Sequence, residues 1–473
     1  MLKKIVSQSF LYAVGPQIPK FVNLLVLPII TQYLTPLDYG VYGTLLAYMG
    51  LMQGLKSLGF DVLLVNTFFK RKNWKSYWSR YIGGLYTYNL FFAIPYTLLL
   101  YFFIPKEARE NLWLLIAIIV IPILLFDVTR MVGGRYFQLN QKPRYIALVS
   151  ATVGVVTIFI NLYTIAYLKI GYWGWFISLA AGSFLSFCFY AVPLYLKEKL
   201  IPILSTNKNF WKKSLKVGLP TIPHNYSTYL LNSSDRLMMD QLKTPIQQIG
   251  IYNMAYVFGG YLEMFGTAVG MAVGPYYTKL HSQKNEVADN AVKSLTFFLQ
   301  ISFIVLCVLI SLWVKEIFYL LIKNSELQQA SSIAIIIIMG YAYRPMYWAA
   351  GTKILFYEHT NKLWRISFIA GVLNVVLNFI FIPIYGIYAA AITTLISLMY
   401  LGVSPYFIKE FKEKNTEKFY PVLWMGAIAV LTLLLYAAKD IHIGVKAIFT
   451  LIILAAYLVY LIKNKKTLNA INV

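Results

Sequence analysis

Fourteen separable apolar stretches run along this chain, from residue 10 to residue 462. A bilayer-spanning helix needs roughly 20 mostly apolar residues, because the hydrocarbon core is about 30 Å thick and each helical residue rises about 1.5 Å. The chain is therefore predicted to be an all-α polytopic membrane protein of about 14 transmembrane helices. Composition agrees, since 59% of the 473 residues are hydrophobic and only 13% are charged. A water-soluble protein of this length needs more polar surface.

The apolar stretches set approximate limits for each span. The predicted spans cover residues 10–34, 40–66, 81–104, 112–137, 145–168, 172–196, 215–241, 249–276, 291–314, 328–350, 364–384, 386–408, 420–438 and 443–462. The first is interpreted as a retained span, because proline and lysine interrupt it and it is too long for a secretory signal. The seventh contains a polar run at 223–236, which is predicted to face protein or water.

Positive charge is distributed unevenly between the loops. If the amino terminus is inside, most of the 42 Lys and Arg residues fall on the cytoplasmic side, with clusters at 70–80 and 197–216. The positive-inside rule then places both termini in the cytoplasm. This topogenic pattern also accounts for the net charge of +24, so the basic clusters are expected to face anionic lipid headgroups and no nucleic-acid partner is predicted.

No catalytic or metal-binding motif accompanies the spans. Cys188 and Cys307 lie in apolar runs, where cysteine behaves as a small hydrophobic residue, and the four histidines lack metal-ligand spacing. The chain contains no phosphate loop, nucleophile elbow or Rossmann glycine pattern, and its outer connections are short. The prediction is a protein that is not an enzyme, with no catalytic residue, no metal and no cofactor.

Two pairs of similar segments indicate an internal repeat. Residues 34–42 resemble 242–252, and Asn161 with 171–174 resembles Asn378 with 386–390. Both offsets lie near 210 to 217 residues, which predicts two pseudo-symmetric six-helix lobes plus a C-terminal helix pair. The predicted divisions are an N-terminal lobe, a C-terminal lobe, and helices 13 and 14 with a cytoplasmic tail, at 1–200, 201–412 and 413–473.

An even number of spans per repeat gives both lobes the same orientation in the membrane. That is the geometry of parallel-repeat transporters, whose site lies between the repeats near the membrane midplane. We therefore expect a transport site between the lobes and alternating access by rocking of one lobe on the other.

Several short motifs occur in an order that resembles a known superfamily. They are LPIITQYLTP at 27–36, YGVY at 39–42, LGFD at 58–61, DRLMM at 235–239, IGIYNMAY at 249–256, and Asn374 and Asn378 before IPIYGIYAAA at 382–391. Together they resemble the polysaccharide-exporting, Wzx-type branch of the multidrug/oligosaccharidyl-lipid/polysaccharide flippase superfamily. The lipid II flippases are a sister branch, but the arginine-rich start associated with them is missing here.

The resemblance implies a bacterial inner-membrane flippase. Such proteins move undecaprenyl-pyrophosphate-linked oligosaccharides outward by alternating access, for O-antigen of lipopolysaccharide, for capsule or for related glycans. The implied partners are the lipid-linked oligosaccharide, bilayer lipids and other glycan-assembly membrane proteins, and a monomer would suffice because both lobes lie in one chain. The alternative is an ion-coupled drug or cation antiporter of the same superfamily, which the mixed charges of the spans disfavour.

Three cations within spans are predicted to bind the substrate head group. They are Lys20, Lys56 and Arg236. A lone charge at the bilayer centre costs about 2.5 to 3.5 kcal/mol, so each needs a partner, water or substrate. Other interpretations remain for each: a packing salt bridge or snorkelling for Lys20, snorkelling to the inner headgroups for Lys56, and an ion pair with Asp240 for Arg236.

A second set of charged residues is predicted to serve ion coupling or gating. The set comprises Asp61, Asp127, Arg130, Asp235, Asp240 and Glu263. Asp127 and Arg130 are three residues apart on one helical face, so they are also interpreted as a mutually neutralising pair. Glu263 is interpreted either as a proton carrier or as a plain partner of Lys20 or Lys56. The coupling ion, H+ or Na+, is left open.

Overall fold

The computed structural model describes residues 18–283, 285–413 and 417–470, apart from the side chains of 18–21, 224, 225, 228, 360, 410 and 465–470. Within these ranges all regular secondary structure is helical. The predicted all-α fold is confirmed.

In the N-terminal half, the described residues form ten α-helices. They are α1 Ile18–Ile30, α2 Pro36–Lys56, α3 Phe60–Lys70, α4 Trp74–Phe103, α5 Leu112–Leu125, α6 Asp127–Leu139, α7 Pro143–Asn161, α8 Trp173–Ala191, α9 Lys208–Gly218 and α10 Ile222–Asn232. Short 3-10 helices lie at Lys106–Asn111 and Leu219–Thr221, and π-helical turns extend α7 and α8 through Leu162–Tyr167 and Val192–Lys197.

The described residues after these form eleven further α-helices. They are α11 Ser234–Gln241, α12 Ile246–Gln283, α13 Glu286–Leu312, α14 Val314–Leu321, α15 Ser325–Gln328, α16 Ser331–Gly340, α17 Arg344–Phe356, α18 Thr360–Val403, α19 Lys409–Lys412, α20 Pro421–Ala437 and α21 Ile443–Ala470. Short 3-10 helices at Tyr341–Tyr343 and Ser404–Phe407 connect neighbouring elements.

Each predicted span overlaps a helix, although the part of the first before residue 18 lies outside the described residues. Nine helices within the described ranges are long and apolar enough to cross a membrane. One of them, Asn361–Phe407, covers two predicted spans, and helix breaks shorten others below that length. The chain is thus a multi-pass membrane protein, while the number fourteen stays a prediction.

Helix α18 contains a reversal at Gly386, where φ is 60°. The Asn374 Nδ2 donates to Thr394 Oγ1 at 3.2 Å, and the Thr393 hydroxyl donates to Asn378 Oδ1. In a straight helix, residues 20 positions apart are about 30 Å apart. The chain therefore folds back at Gly386 into two packed helices, as the boundary between predicted spans 364–384 and 386–408 requires.

Two other predicted spans are interrupted inside the N-terminal half. The span 40–66 breaks between Lys56 and Phe60, where Leu58 and Gly59 have φ of 49° and 69°. A Cβ on Gly59 would lie 2.1 Å from the Gly218 carbonyl oxygen, so only glycine fits. The span 112–137 breaks at residue 126, after the helix-interior proline Pro122. These breaks place polar helix ends inside apolar stretches.

The chain divides into two compact units, Met1–Tyr229 and Leu230–Val473, here called the N-terminal and C-terminal units. Trp78 is fully buried in the core of the first, where its Nε1 donates to the Leu64 carbonyl at 3.1 Å. Tyr277 and Tyr406 are buried in the core of the second. The three divisions predicted from the repeat, 1–200, 201–412 and 413–473, stay predictions.

Candidate functional site

A cavity of about 900 Å³ lies within the N-terminal unit. Its apolar wall includes Met49, Met52, Phe92, Tyr96, Ile119 and Phe176. Its polar wall includes Lys56, Ser57, Asp61, Asn89, Asp127, Arg130, Ser183 and Ser186. Such a lining suits an amphipathic or charged ligand, because a few polar groups fix orientation while the apolar wall supplies contact area.

Asp127 lies between two cations in this cavity. Lys56 Nζ donates to Asp127 Oδ2, and Arg130 Nη1 donates to Asp127 Oδ1 at 2.7 Å. Arg130 Nη1 also donates to Ser183 Oγ at 2.8 Å. The side chains of Lys56 and Asp127 are 15% and 12% exposed, whereas that of Arg130 is 37% exposed. The predicted Asp127–Arg130 contact is present, but with Lys56 the cluster keeps a net charge of +1.

The two helix breaks explain why these charges meet. Lys56 is the last residue of α2, and Asp127 is the first residue of α6. A cation is stabilised at a helix C-terminus and a carboxylate at a helix N-terminus, because both complement the helix dipole. Each break therefore places a charge where its own helix end favours it. The pairing with Asp127 gives Lys56 a partner without snorkelling to the headgroups.

Asp61 has a separate partner on the same cavity wall. Arg135 Nε donates to Asp61 Oδ1 at 2.8 Å, and Arg135 Nη1 donates to Gln138 Oε1 at 2.8 Å. Both charged side chains are about one third exposed. Asp61 is thus neutralised across α3 and α6 and leaves the Asp127 cluster its positive excess.

Arg236 is buried in the C-terminal unit, with 7% of its surface exposed. Its Nε donates to Asn253 Oδ1 at 3.0 Å, and its Nη1 donates to the Asn232 carbonyl at 3.1 Å. The guanidinium carbon also lies 4.2 Å from the centre of the Tyr256 ring, a cation–π contact. Asp240, the predicted ion-pair partner of Arg236, lies in the last turn of α11, and that pairing stays a prediction.

Asp235 is fully buried and accepts hydrogen bonds from neutral groups. The Tyr252 hydroxyl and Thr394 Oγ1, the latter at 3.2 Å, both donate to Asp235 Oδ2. Asp235 Oδ1 has no hydrogen-bond partner among the described residues. Thr394 also accepts from Asn374, whose Oδ1 accepts from Ser234 at 3.1 Å and from Asn378 at 3.0 Å. A continuous buried polar network, here called the Asp235 network, therefore joins α11, α12 and α18.

Glu263 pairs with a residue that the sequence did not single out. Arg344 Nη2 donates to Glu263 Oε1 at 3.0 Å, and Asn232 Nδ2 donates to the same oxygen at 3.0 Å. Lys56, one of the two alternative partners expected for Glu263, is bound to Asp127 in the N-terminal unit. Lys20 belongs to α1, but its side chain lies outside the described residues.

Sequence reasoning missed Arg135 and Arg344, although each lies inside a predicted span. Lys56 and Arg236 were singled out because a charge inside a span needs a partner, and Arg135 and Arg344 meet the same criterion. It gives no signal for neutral partners such as Ser183 and Tyr252. Among the described residues, no three His, Cys, Asp or Glu side chains lie close enough to hold a metal ion.

Comparisons with known proteins bear on this arrangement. The family model described as "Polysaccharide biosynthesis protein" matches residues 5–281, and a second model, MatE, matches residues 220–380. A search of curated proteins finds no match.

Solved structures show a shared fold. The chain is similar to "Lipid II flippase MurJ, inward closed conformation", with 16% identity, a TM-score of 0.67, and coverage of 91% of this chain and 98% of that one. It is also similar to the outward-facing conformation of a multidrug resistance MATE family transporter of the MOP superfamily, with 15% identity, a TM-score of 0.58 and coverage of 90% and 96%. For the inward-facing conformation of such a transporter, the identity is 12% and the TM-score is 0.55, with coverage of 90% of this chain and 95% of that one.

The two family models agree with the resemblance to the flippase superfamily that the motifs indicated. The structural similarities, at identities this low, establish the fold. The first family model covers more than half of the sequence and overlaps the whole cavity-bearing unit from residue 5 onward. This chain is a member of the polysaccharide biosynthesis protein family.

Proposed function

We propose that the protein is a Wzx-type flippase, which moves an undecaprenyl-pyrophosphate-linked oligosaccharide from the cytoplasmic to the outer leaflet by alternating access. The observation that carries this proposal is the net positive Lys56–Asp127–Arg130 cluster in the wall of a large cavity. Its support comes from the family assignment and from the fold shared with a protein described as a lipid II flippase.

The substrate has two parts with opposite requirements. A pyrophosphate and its sugars need a hydrated, cationic passage, whereas the lipid tail is stable in hydrocarbon and can remain outside. Lys56 and Arg130 provide that attraction in the proposed mechanism, since arginine suits bidentate contact with phosphate oxygens and lysine acts as a point charge. Lys20 is proposed as a third cation. The partners of Arg236 favour a gating role for it over head-group contact.

Ion coupling is proposed to involve the Asp235 network. Asp235 is a fully buried carboxylate with one oxygen unpartnered within the described part of the chain. Binding of H+ or Na+ would neutralise that charge where burial makes it costly. Asp235→Asn is expected to abolish the dependence of transport on the coupling ion, and transport that keeps its ion dependence in this variant would contradict the assignment.

We further propose that the protein lies in the bacterial cytoplasmic membrane with both termini in the cytoplasm. One chain is proposed to suffice for transport, with other glycan-assembly membrane proteins supplying and receiving the substrate. The glycan is proposed to serve O-antigen or capsule synthesis.

The test is the leaflet distribution of the lipid-linked oligosaccharide in a strain lacking the gene. We expect accumulation on the cytoplasmic face, relief by the wild-type gene, and little relief by Lys56→Ala or Arg130→Ala. Lys212→Ala, which removes an exposed lysine of α9, is the matched control and should complement fully. Full complementation by both cavity variants would contradict the assignment of the cavity.

The alternative is an ion-coupled drug or cation antiporter. The MatE match over residues 220–380 is the observation that favours it. An unchanged leaflet distribution together with altered drug or cation sensitivity in the deletion strain would support this alternative and overturn the flippase proposal.

A further inference from the structure

We propose that Asp127 is a built-in counter-ion, which occupies the phosphate position between Lys56 and Arg130 until a pyrophosphate displaces it. This inference deepens the proposed function and rests on it. It assigns Asp127 a role that sets substrate affinity, instead of the ion coupling or simple neutralisation that its sequence position indicated.

The first argument is the geometry of the carboxylate. Each oxygen of Asp127 has its own cation: Lys56 binds Oδ2, and Arg130 binds Oδ1. A phosphoryl group likewise presents two neighbouring oxygens to a lysine and an arginine. The carboxylate therefore holds both cations at a spacing that suits the edge of a phosphate.

The second argument is the state of the empty site. Without Asp127, two cations would face each other in a membrane-embedded cavity with no counter-charge, which is costly. With Asp127 in place, the cluster still carries a net charge of +1, and the Arg130 side chain, which is 37% exposed, lines the cavity. The site therefore attracts an anion while remaining stable when empty.

The third argument is what happens to each group on displacement. Ser183 Oγ accepts from Arg130 Nη1 and keeps that side chain in place after it leaves Asp127. Asp127 itself remains at the N-terminus of the 13-residue helix α6, where a negative charge is favoured. Asp61, the other carboxylate in this wall, is already bound to Arg135. The exchange thus leaves no cation without a counter-charge, and the displaced Asp127 keeps only the favourable field of its helix end.

Exchange also has a consequence for transport. An incoming anion must compete with Asp127 for the two cations. A singly charged anion therefore gains little binding free energy, whereas the more highly charged pyrophosphate gains more from the same two cations. The competition also weakens binding and returns Asp127 to the cations when the substrate leaves. A flippase needs such release, because a site that binds too tightly traps its substrate.

The test measures binding of inorganic pyrophosphate to the purified full-length protein by calorimetry. We expect Asp127→Asn to bind pyrophosphate at least about tenfold more tightly than wild type, because a competing charge is removed. The same substitution should increase the affinity for inorganic phosphate by a smaller factor. The matched control is Glu198→Gln, which removes a carboxylate that pairs with Lys75 outside the cavity wall and should change affinity by less than about threefold.

A second pair of variants avoids leaving two cations unpaired. Arg130→Met reduces the cluster to one lysine and one carboxylate, so its pyrophosphate affinity should fall. Adding Asp127→Asn to Arg130→Met should raise that affinity again. This comparison holds even if Asp127→Asn alone fails to fold.

Lower pyrophosphate affinity on removing the Asp127 charge in both backgrounds would overturn the counter-ion role, as would the absence of pyrophosphate binding from every variant. Neither result would overturn the flippase proposal, which the leaflet assay decides separately. Tighter binding with slower export in cells is the combination that the proposal requires.

Discussion

The two units carry the same kinds of charged residue in the membrane but arrange them differently. In the N-terminal unit, Asp127 has two cationic partners, and the cluster opens onto a cavity. In the C-terminal unit, the hydrogen-bond partners of the fully buried Asp235 are neutral, and Arg236 is enclosed by an amide, a carbonyl and an aromatic ring. Charges at a cavity can exchange partners with a ligand. Charges held inside a packed network stabilise one arrangement of helices.

The difference originates in where the helices break. At the cavity, α2 ends at Lys56 and α6 begins at Asp127, so helix ends present charges to open space. In the C-terminal unit, the reversal at Gly386 brings Thr393 and Thr394 back against Asn378 and Asn374, and the polar groups fill each other's hydrogen bonds. Substitutions in the two regions should therefore affect different properties.

The largest expected effect on stability is in the Asp235 network. Asn374→Leu removes an acceptor for Ser234 and Asn378 and a donor to Thr394, all buried. We expect a loss of about 3 kcal/mol in the free energy of unfolding, because several buried polar groups lose their partners together. The measurement is denaturant unfolding in detergent. The control is Asn361→Leu at an exposed position, which should cost less than about 0.5 kcal/mol. Equal stability of the two variants would contradict the conclusion that the Asp235 network stabilises the C-terminal unit.

The paired arginines give the next largest effect. Arg236→Met should reduce stability by about 2 kcal/mol, since Asn253 Oδ1 and the Asn232 carbonyl both lose a charged donor. Arg130→Met should cost less than about 1 kcal/mol, because this side chain is partly exposed. Glycan export should be affected in the opposite order. Among variants that reach the membrane in equal amounts, Arg130→Met should show a larger export defect than Arg236→Met. A larger export defect in Arg236→Met at equal protein level would reverse the comparison.

The sequence predicted the spans well and the charge partners poorly. Apolar length places at least one helix in each predicted span, because the bilayer imposes that length. Spacing identifies only local pairs, such as Asp127 with Arg130 three residues on. The partners of Lys56, Asp61 and Glu263 lie 71, 74 and 81 residues away in the chain, and tertiary packing decides them. Pro122 and Gly59 indicate in the sequence that helices break near residues 126 and 59. Neither residue indicates which charged side chains the helix ends bring together.

The smallest expected effect compares charges outside the spans of the two units. The Tyr136 hydroxyl and Lys75 both bind Glu198 and hold the pKa of its carboxyl below the usual range, and Lys315 does the same for the exposed Asp440. A carboxyl with a lowered pKa stabilises the folded state above its unfolded pKa, near 4.5 for Glu198, and loses that contribution as the pH falls through the folded pKa.

Glu198→Gln should therefore flatten the decline in stability between about pH 6 and about pH 3, by about 0.5 kcal/mol after allowance for solvent screening. Asp440→Asn should change the profile less, because water and salt screen a fully exposed pair. Denaturant unfolding across this pH range distinguishes them, and a steeper acid decline in Glu198→Gln than in wild type would contradict the assigned hydrogen bonds.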